Sequence, residues 1–538
     1  MEALNNRSRL FRHLDGLVTA PVAYSLLQGG IIEEISQHSE TTLRFLTEKV
    51  KSNEGYLNVA LRVLASQGFI NYRLDPVSHN VFLSHNSKTL IAFRYFKYYQ
   101  KVVEFIQFTG NFHPRKFEVE PFLKQRILID HYRRRFDFPT PERELEQEIQ
   151  DQILYHLEGC IVSPTLVRLG MNGMFHKYFM ETRFKPDEFH QYPEHFAEIL
   201  NFFCDLGWFK ERNGFYEFTE SGLFFAKRAS AYGVTVSYLP LFRKMDELLF
   251  GNPNVLKDVP VGESELHVDR EMNVWGSGGA HASYFKVVDD IIIELFNQPI
   301  ELQPKGILDM GCGNGAFLQH LFEVIDRYTL RGKMLEEHPL FLVGADYNEA
   351  ALKVTRANLI NADIWAKVIW GDIGDPDLLA HDLRDNYGIE LSDLLNVRTF
   401  LDHNRIWKDP NVIDENRISS SSGAFAYRGK RIYNNLVEDN LLEHLTLWKP
   451  YVEKFGLLLI ELHTIAPEIA SQHLGKTAAT AYDATHGFSD QYIVEINVLH
   501  KVAQEAGLEP DAKLFHRFPD GEHATISIQL LKGIKSST

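Results

Sequence analysis

A short apolar segment that runs directly into three alternating glycines constrains this fold more than any other feature of the chain. Residues 306–308 are predicted to form a strand, and Asp309-Met310-Gly311-Cys312-Gly313-Asn314-Gly315 follows. From Phe317 onward, apolar residues recur at helical spacing. Glycines let the backbone turn sharply and approach a ligand closely, and the N-terminus of the next helix faces that ligand. The segment therefore predicts the first strand, turn and helix of a doubly wound sheet.

Acidic residues at the ends of the next predicted strands support this interpretation. Residues 340–346 end in Asp346, and residues 367–373 contain Asp372 near their end. In an open α/β sheet, ligands bind outside the carboxyl ends of the strands, so these acids are expected to share one edge. Further strands are predicted at residues 391–397 and 457–462. We predict an α/β fold with a mostly parallel, doubly wound sheet and an antiparallel last strand.

The glycine pattern Asp-x-Gly-x-Gly-x-Gly differs from the dinucleotide pattern Gly-x-Gly-x-x-Gly. It resembles the motif with which class I methyltransferases bind the amino-acid end of S-adenosylmethionine. With that cofactor, Asp346 would accept hydrogen bonds from the ribose hydroxyls, and Asp372 would accept one from the adenine amino group, with Ile373 against the ring. The expected cofactor-binding residues are Asp309, Gly311, Gly313, Asn314, Gly315, Asp346, Tyr347, Asp372, Ile373 and Asn396.

The N-terminal half has a different pattern, in which helices alternate with short hairpins. Helical segments followed by two strands near residues 69–83 predict a winged-helix unit, and a similar pattern recurs at residues 196–219. Such units can bind DNA, but they also serve methyltransferases as dimerisation modules or substrate lids. We predict four parts: a winged-helix-like helical domain at 1–94, a helical connector at 95–165, a second winged-helix-like unit or lid at 166–270, and the cofactor-binding core at 271–538.

Residues suited to chemistry follow the fourth and fifth predicted strands. Arg398, Asp402 and His403 come after the fourth strand and are our catalytic candidates. His463 follows the fifth strand, and the long polar segment beyond it, expected to be a loop, carries His486 and Gln491. Imidazoles with carboxylate or amide oxygens suit Fe²⁺ or Mn²⁺. The alternative is a site without metal in which one histidine acts as general base.

Five segments resemble the methyltransferase domains of polyketide-synthase loading modules of the apratoxin type. They are NVRTFLDHNR from Asn396, ELHT from Glu461, AYDATHGFSDQY from Ala481, YGVTVSYLPLF from Tyr232 and HVDREMNVWGSGGAH from His267. The resemblance covers nearly the whole chain.

This resemblance implies a C-methyltransferase that acts on the α-carbon of a malonyl or methylmalonyl unit. That unit would be carried by an acyl carrier protein in polyketide starter-unit synthesis, with neighbouring polyketide synthase domains as further partners. The resemblance also implies a mononuclear divalent metal beside the cofactor. We assign this metal to His463, His486 and Gln491, which leaves about three octahedral positions open.

Two other functions stay open at this stage. One is a metal-free O-methyltransferase acting on a small natural product, which the winged-helix region fits equally well. The other is a non-catalytic cofactor-binding scaffold, against which the intact Asp309, Gly311, Gly313 and Asp346 argue.

The overall composition narrows the range of partners and compartments. The chain of 538 residues has a formal net charge of −16, which argues against general nucleic-acid binding. Three cysteines spaced far apart favour a reducing compartment over a disulfide framework. The chain also contains no run of 18 or more apolar residues. We therefore expect a cytoplasmic protein that binds neither nucleic acid nor membrane.

Overall fold

The computed structural model describes residues 2–111, 119–259 and 265–534. The chain divides into two compact units, and the first also takes in two segments from the C-terminal half. Unit 1 comprises residues 1–281, 424–431 and 466–490, and unit 2 comprises residues 282–423, 432–465 and 491–538. The division into four parts at residues 94, 165 and 270 stays a prediction.

The first part of unit 1 has the helices and hairpin expected of a winged helix. Thr42 Oγ1 accepts a hydrogen bond from Phe45 N (3.2 Å), which caps the helix Leu43–Val50. The helix Glu54–Ser66 follows and is buried along almost its whole length. An antiparallel sheet completes this winged-helix-like part, and its strands lie in the order Glu40–Thr42, Val81–Ser84, Asn71–Leu74.

A second set of helices and a hairpin recurs later in unit 1. The helix Pro193–Asp205 precedes the antiparallel strands Phe209–Arg212 and Phe215–Phe218. Thr219 then caps the helix Glu220–Ala226 by accepting a hydrogen bond from Gly222 N (3.0 Å). The helix-rich N-terminal region with winged-helix-like units is thereby confirmed.

Unit 2 contains the large sheet, whose strands we number β1 to β8 in chain order. They are β1 (Gly306–Met310), β2 (Phe341–Asp346), β3 (Lys367–Trp370), β4 (Leu394–Thr399), β5 (Leu457–Leu462), β6 (Leu508–Pro510), β7 (His516–Phe518) and β8 (Ile526–Gly533). The order across the sheet is β6-β8-β5-β4-β1-β2-β3, and β7 also pairs with β8. The five strands β1 to β5 are parallel, whereas β8 is antiparallel to β5. The predicted doubly wound sheet with an antiparallel last strand is confirmed.

The segment after β5 differs from the expected loop. It forms the helices Pro467–Gln472 and Ala479–Gly487, and residues 466–490 belong to unit 1. The side chain of Asp483 is held there by Arg62, whose Nε lies 3.0 Å from Asp483 Oδ2. Asp483 therefore has its partner inside unit 1.

Further α-helices and two short strands complete the two units. The other helices are Glu2–Gln28, Ile31–Gln37, Thr89–Tyr95, Gln100–Ile106, Val119–Arg133, Glu144–Met171, Lys177–Glu181, Ser230–Ser237, Leu239–Phe242, Met245–Phe250, Arg270–Phe296, Ala316–Tyr328, Glu349–Asn361, Pro376–Tyr387, Asn434–Val452 and Ile496–Glu505. Two further strands, Phe425–Tyr427 and Lys430–Ile432, pair with each other. Among the residues placed in the structure, no helix is both long and apolar enough to cross a membrane.

Candidate active site

The glycine turn at the end of β1 adopts backbone conformations that only glycine accepts readily. Gly311, Gly313 and Gly315 have φ angles of 79°, 55° and 77°, all in the left-handed region. A Cβ atom on Gly311 would lie 2.9 Å from Leu401 Cδ2, whereas one on Gly313 would have no atom within 4 Å. The turn is thus closely packed at Gly311 and open above Gly313, which leaves a place where a ligand can approach the backbone.

Two carboxylates lie beside this turn. Asp346, at the end of β2, accepts hydrogen bonds from Gly313 N (3.0 Å) and from Asn348 N (2.8 Å). Asp309 is buried in β1, and burial together with the charge of Asp346 raises the pKa of Asp309 to about 7. A cationic ligand group near Asp309 would favour its ionised form. The turn and its acids therefore fit the amino-acid and ribose parts of S-adenosylmethionine.

The ends of β2 and β3 form an aromatic and acidic surface. The rings of Tyr347 and Trp370 lie 5.5 Å apart, and Trp370 Nε1 donates to the carbonyl of Tyr347 (3.1 Å). Asp372 accepts a hydrogen bond from Gly374 N (2.8 Å), and the adjacent Ile373 is buried. The binding of adenine by Asp372 and Ile373 stays a prediction.

Two other residues expected at the cofactor make structural contacts. Asn314 accepts a hydrogen bond from Ala316 N (3.1 Å) at the start of the next helix. Asn396 is fully buried, and its Nδ2 donates to the carbonyl of Tyr451 (3.2 Å) in the helix Asn434–Val452. Their roles toward the cofactor stay predictions.

A histidine–glutamate pair occupies the carboxyl ends of β4 and β5. His403 lies in the short turn Asp402–Asn404, and Glu461 lies in β5. Glu461 Oε1 is 2.5 Å from His403 Nδ1, and Glu461 Oε2 accepts a hydrogen bond from His403 N (3.2 Å). The N–H of Tyr492 donates to the carbonyl of His403 (2.8 Å). Both members of the pair are buried, so they interact in a medium of low polarity.

The other two catalytic candidates form a separate buried set with His444. Asp402 Oδ1 accepts hydrogen bonds from Arg398 Nη1 (2.6 Å) and from His444 Nε2 (2.9 Å). The guanidinium of Arg398 lies over the ring of Trp448, with its central carbon 4.0 Å from the ring centroid. Asp402 thus contacts both Arg398 and His444, and the sequence patterns did not identify His444.

His463 does not fit the metal-ligand role in this arrangement. Its Nδ1–H donates to the carbonyl of Val494 (2.9 Å), so Nε2 carries the lone pair and accepts from the hydroxyl of Ser527 (2.7 Å). Burial lowers the pKa of His463 to about 4, which keeps the ring neutral near pH 7. Both ring nitrogens are thereby engaged in hydrogen bonds within the protein.

The other two proposed metal ligands lie in different units. His486 belongs to unit 1, where its Nδ1 donates to the carbonyl of Tyr482 (2.7 Å). Gln491 begins a segment of unit 2 and directly precedes Tyr492, which binds His403. Within residues 2–111, 119–259 and 265–534, no three or more His, Cys, Asp and Glu side chains are grouped to hold a metal.

The sequence patterns did not identify Glu461 or His444 as site residues. Glu461 interrupts the apolar strand LLLIEL, and a carboxylate in a buried strand requires a partner. This interruption of the apolar strand could have indicated Glu461 as a site residue, but it does not identify His403 as its partner. His444 lies in a helix with mixed composition and offers no comparable sign.

Models of three domains of one family match the chain in order. The AprA N-terminal domain matches residues 6–72, the AprA winged helix domain matches residues 158–252, and the AprA MT2-like domain matches residues 265–529. No curated protein matches the sequence.

Several solved structures are similar at low identity. They include the apo form of the S-adenosylmethionine-dependent methyltransferase SibL (14% identity, TM-score 0.37, 69% of this chain and 94% of SibL). They also include LepI in complex with SAM (11% identity, TM-score 0.40, 77% and 94%) and the CurJ carbon methyltransferase (11% identity, TM-score 0.33, 86% and 100%). At these identities and scores, the likeness says nothing about substrate.

The three family matches follow one another along most of the chain, and the last of them spans the sheet and its glycine turn. The chain therefore consists largely of AprA-type domains and is an S-adenosylmethionine-dependent methyltransferase.

Proposed function

We propose that this enzyme transfers a methyl group to the α-carbon of a malonyl or methylmalonyl unit on an acyl carrier protein, in polyketide starter-unit synthesis. The observation that carries this proposal is the His403–Glu461 pair at the ends of β4 and β5. The α-carbon of a malonyl thioester must lose a proton before it can accept a methyl group. A base at the sheet edge that carries the glycine turn is suited to this step.

The geometry of the pair assigns the proton positions. Glu461 accepts from His403 Nδ1–H, so Nε2 is the nitrogen that carries the basic lone pair. In the proposed step, Nε2 takes the α-proton and the electrons of the C–H bond remain on the substrate as an enolate. The carboxylate of Glu461 stabilises the imidazolium that forms.

S-Adenosylmethionine, when bound, supplies an electrophilic methyl group. Gly311, Gly313 and Gly315 would lie beneath its amino-acid end, with Asp309 near the ammonium group. Asp346 would bind the ribose, and Asp372 with Ile373 would bind the adenine. These residues hold the cofactor in place, while His403 acts on the substrate.

The partners and the metal are two further parts of the proposal. The carrier protein and the neighbouring synthase domains are proposed as partners because residues 265–529 match the AprA MT2-like domain. A divalent metal, Fe²⁺ or Mn²⁺, receives no role in the proposed step, because His463 uses both ring nitrogens in hydrogen bonds within the protein.

Exchange of the substrate α-proton with deuterium tests the base directly. Malonyl-loaded carrier protein would be incubated in D₂O with enzyme and S-adenosylhomocysteine, and deuterium uptake followed by mass spectrometry. We expect wild-type enzyme to catalyse exchange and His403→Gln to abolish it. The control His381→Gln removes an exposed histidine of the same unit and should exchange normally.

Methyl transfer with S-adenosylmethionine completes the test. A mass gain of one methylene on the malonyl unit supports the proposal. Methylation of a small hydroxylated molecule, without exchange or methylation of the malonyl carrier, would instead favour the O-methyltransferase alternative.

A further inference from the structure

The segment after β4 joins the glycine turn to the proposed base within a few residues. Phe400 has a φ angle of 54°, which bulky residues rarely adopt, and its N–H donates to the carbonyl of Ile460 (2.7 Å). Leu401 packs against Gly311, and the turn with His403 begins at the next residue. A shift of this segment would therefore move the proposed base and the wall of the glycine turn together.

Asp402 anchors this segment in the protein core. Its side chain is held by Arg398 and His444, as described above, and its backbone carbonyl accepts a hydrogen bond from Arg405 Nη1. Asp402, Arg398 and His444 are exposed by only 3%, 0% and 5%. Asp402 is thus fixed through both its side chain and its main chain.

The protonation states support a fixed ion pair. Burial alone would raise the pKa of Asp402, but the charge of Arg398 and the hydrogen bond from His444 hold it well below its usual range. Burial lowers the pKa of His444 to about 4, so its neutral ring donates through Nε2–H near pH 7. Arg405 and Glu461 are the other charged groups that act on this cluster.

The buried charges of this set are only partly satisfied. Arg398 Nε, Arg398 Nη2 and Asp402 Oδ2 are buried and have no hydrogen-bond partner in the part of the chain that the structure describes. Partly satisfied buried charges destabilise a fold, and apolar residues of similar volume often serve it better. A role in function explains why charged residues occupy this place.

We propose that Asp402, Arg398 and His444 are positioning residues, which hold the turn Asp402–Asn404 so that His403 Nε2 faces the substrate. This inference rests on the proposed function of His403. It gives Asp402 and Arg398 a role that acts through His403 instead of direct contact with the substrate.

The variant Asp402→Asn tests the proposal, because it keeps the shape and removes the charge. We expect kcat to fall about 100-fold, as for a displaced catalytic group, while cofactor affinity stays within about twofold. In NMR spectra of ¹⁵N-labelled histidine, assigned with His403→Gln, we expect the ring resonances of His403 to move, because the turn that holds its ring against Glu461 shifts.

A pair of variants at His444 provides the conservative rescue. His444→Gln retains a donor to Asp402 and should keep most of the activity, whereas His444→Leu should resemble Asp402→Asn. The matched control is Asp439→Asn, which removes a carboxylate bound to Arg417 elsewhere in unit 2 (2.5 Å). Asp439→Asn should lower stability without moving the ring resonances of His403.

The proposal is overturned if folded Asp402→Asn and His444→Leu keep the wild-type kcat and the wild-type ring resonances of His403. It is also overturned if their loss of kcat only equals that of Asp439→Asn. If Asp402→Asn does not fold, the comparison of His444→Gln with His444→Leu decides whether the set positions His403. If wild-type enzyme neither exchanges nor methylates malonyl carrier, the proposed function fails, but the NMR spectra still decide whether this set positions His403.

Discussion

Among single residues, Glu461 is the one on which the proposed base depends most. Glutamine in its place keeps the size but removes the charge that stabilises the imidazolium of His403. We expect Glu461→Gln to lower kcat by about 100-fold and to leave cofactor affinity unchanged. Steady-state kinetics and calorimetry measure these effects. Glu509→Gln, which changes an exposed carboxylate of β6, serves as the control, and an equal loss in both variants would contradict the assignment.

The raised pKa of Asp309, about 7, predicts how cofactor binding depends on pH. Below that pH, Asp309 in the free enzyme is protonated and must release a proton to pair with the cofactor ammonium. We expect affinity to rise with pH, by at most about tenfold per unit, and to level off above about 7. Calorimetry across this window measures the slope. Asp309→Asn should lose the slope, and an unchanged slope in that variant would assign the proton to another group.

The raised pKa of Asp309 also makes the stability of the cofactor-free enzyme depend on pH, and this stability falls over the pH range in which cofactor affinity rises. The folded pKa of Asp309 lies above the unfolded value, so the folded state binds more protons between the two. Its contribution to stability without cofactor is therefore present at low pH and is lost as pH rises toward about 7.

How far single residues could be predicted depended on the distance between partners. The glycines of the turn and Asp346 could be predicted, because their backbone conformations and spacing are local features. Glu461 could not be paired with His403, because 58 positions separate them and only the parallel pairing of β4 with β5 brings them together. His463 looked like a ligand because its position at a strand end does not reveal which hydrogen bonds its ring makes.

At the scale of elements, His463 fastens β5 to β8 and to the segment before the helix Ile496–Glu505. The backbone N–H of His463 donates to the carbonyl of Thr525 (2.8 Å). The His463 ring donates to the carbonyl of Val494 and accepts from the hydroxyl of Ser527. We expect His463→Ala to destabilise the protein by about 2–4 kcal/mol, because it leaves a cavity and unsatisfied polar groups. Denaturant unfolding measures this. Metal analysis decides the alternative: a stoichiometric metal that His463→Ala loses without losing stability would restore the ligand hypothesis.

The elements after β5 show where sequence patterns were insufficient. Residues 466–490 are polar enough to suggest a loop, yet they include two helices and belong to unit 1. Asp483 pairs with Arg62, which lies 421 positions away in the chain. Thr480 likewise accepts a hydrogen bond from Gln67 Nε2 (2.8 Å). Such distant partners are not visible in local periodicity, whereas the strands and helices of the sheet follow from it.

For the whole molecule, unit 1 includes residues 466–490, and this limits where the chain can be cut into separate domains. Asp490 accepts a hydrogen bond from Tyr56 (2.8 Å) and pairs with Lys257 (3.1 Å), both within unit 1. Phe488, in the same segment, is fully buried. The predicted core of residues 271–538 therefore contains a segment whose partners come from the first 270 residues.

We accordingly expect the fragment 271–538 not to fold as an independent cofactor-binding domain. Without residues 1–270, Asp483 and Asp490 lose their cationic partners and the apolar face around Phe488 becomes exposed, which destabilises the fragment and favours aggregation. Circular dichroism melting and cofactor calorimetry measure the outcome, with co-expression of residues 1–270 as the control that should restore both. A fragment that melts cooperatively and binds S-adenosylmethionine with wild-type affinity would show that residues 466–490 do not depend on unit 1, and would support the domain boundary at residue 270.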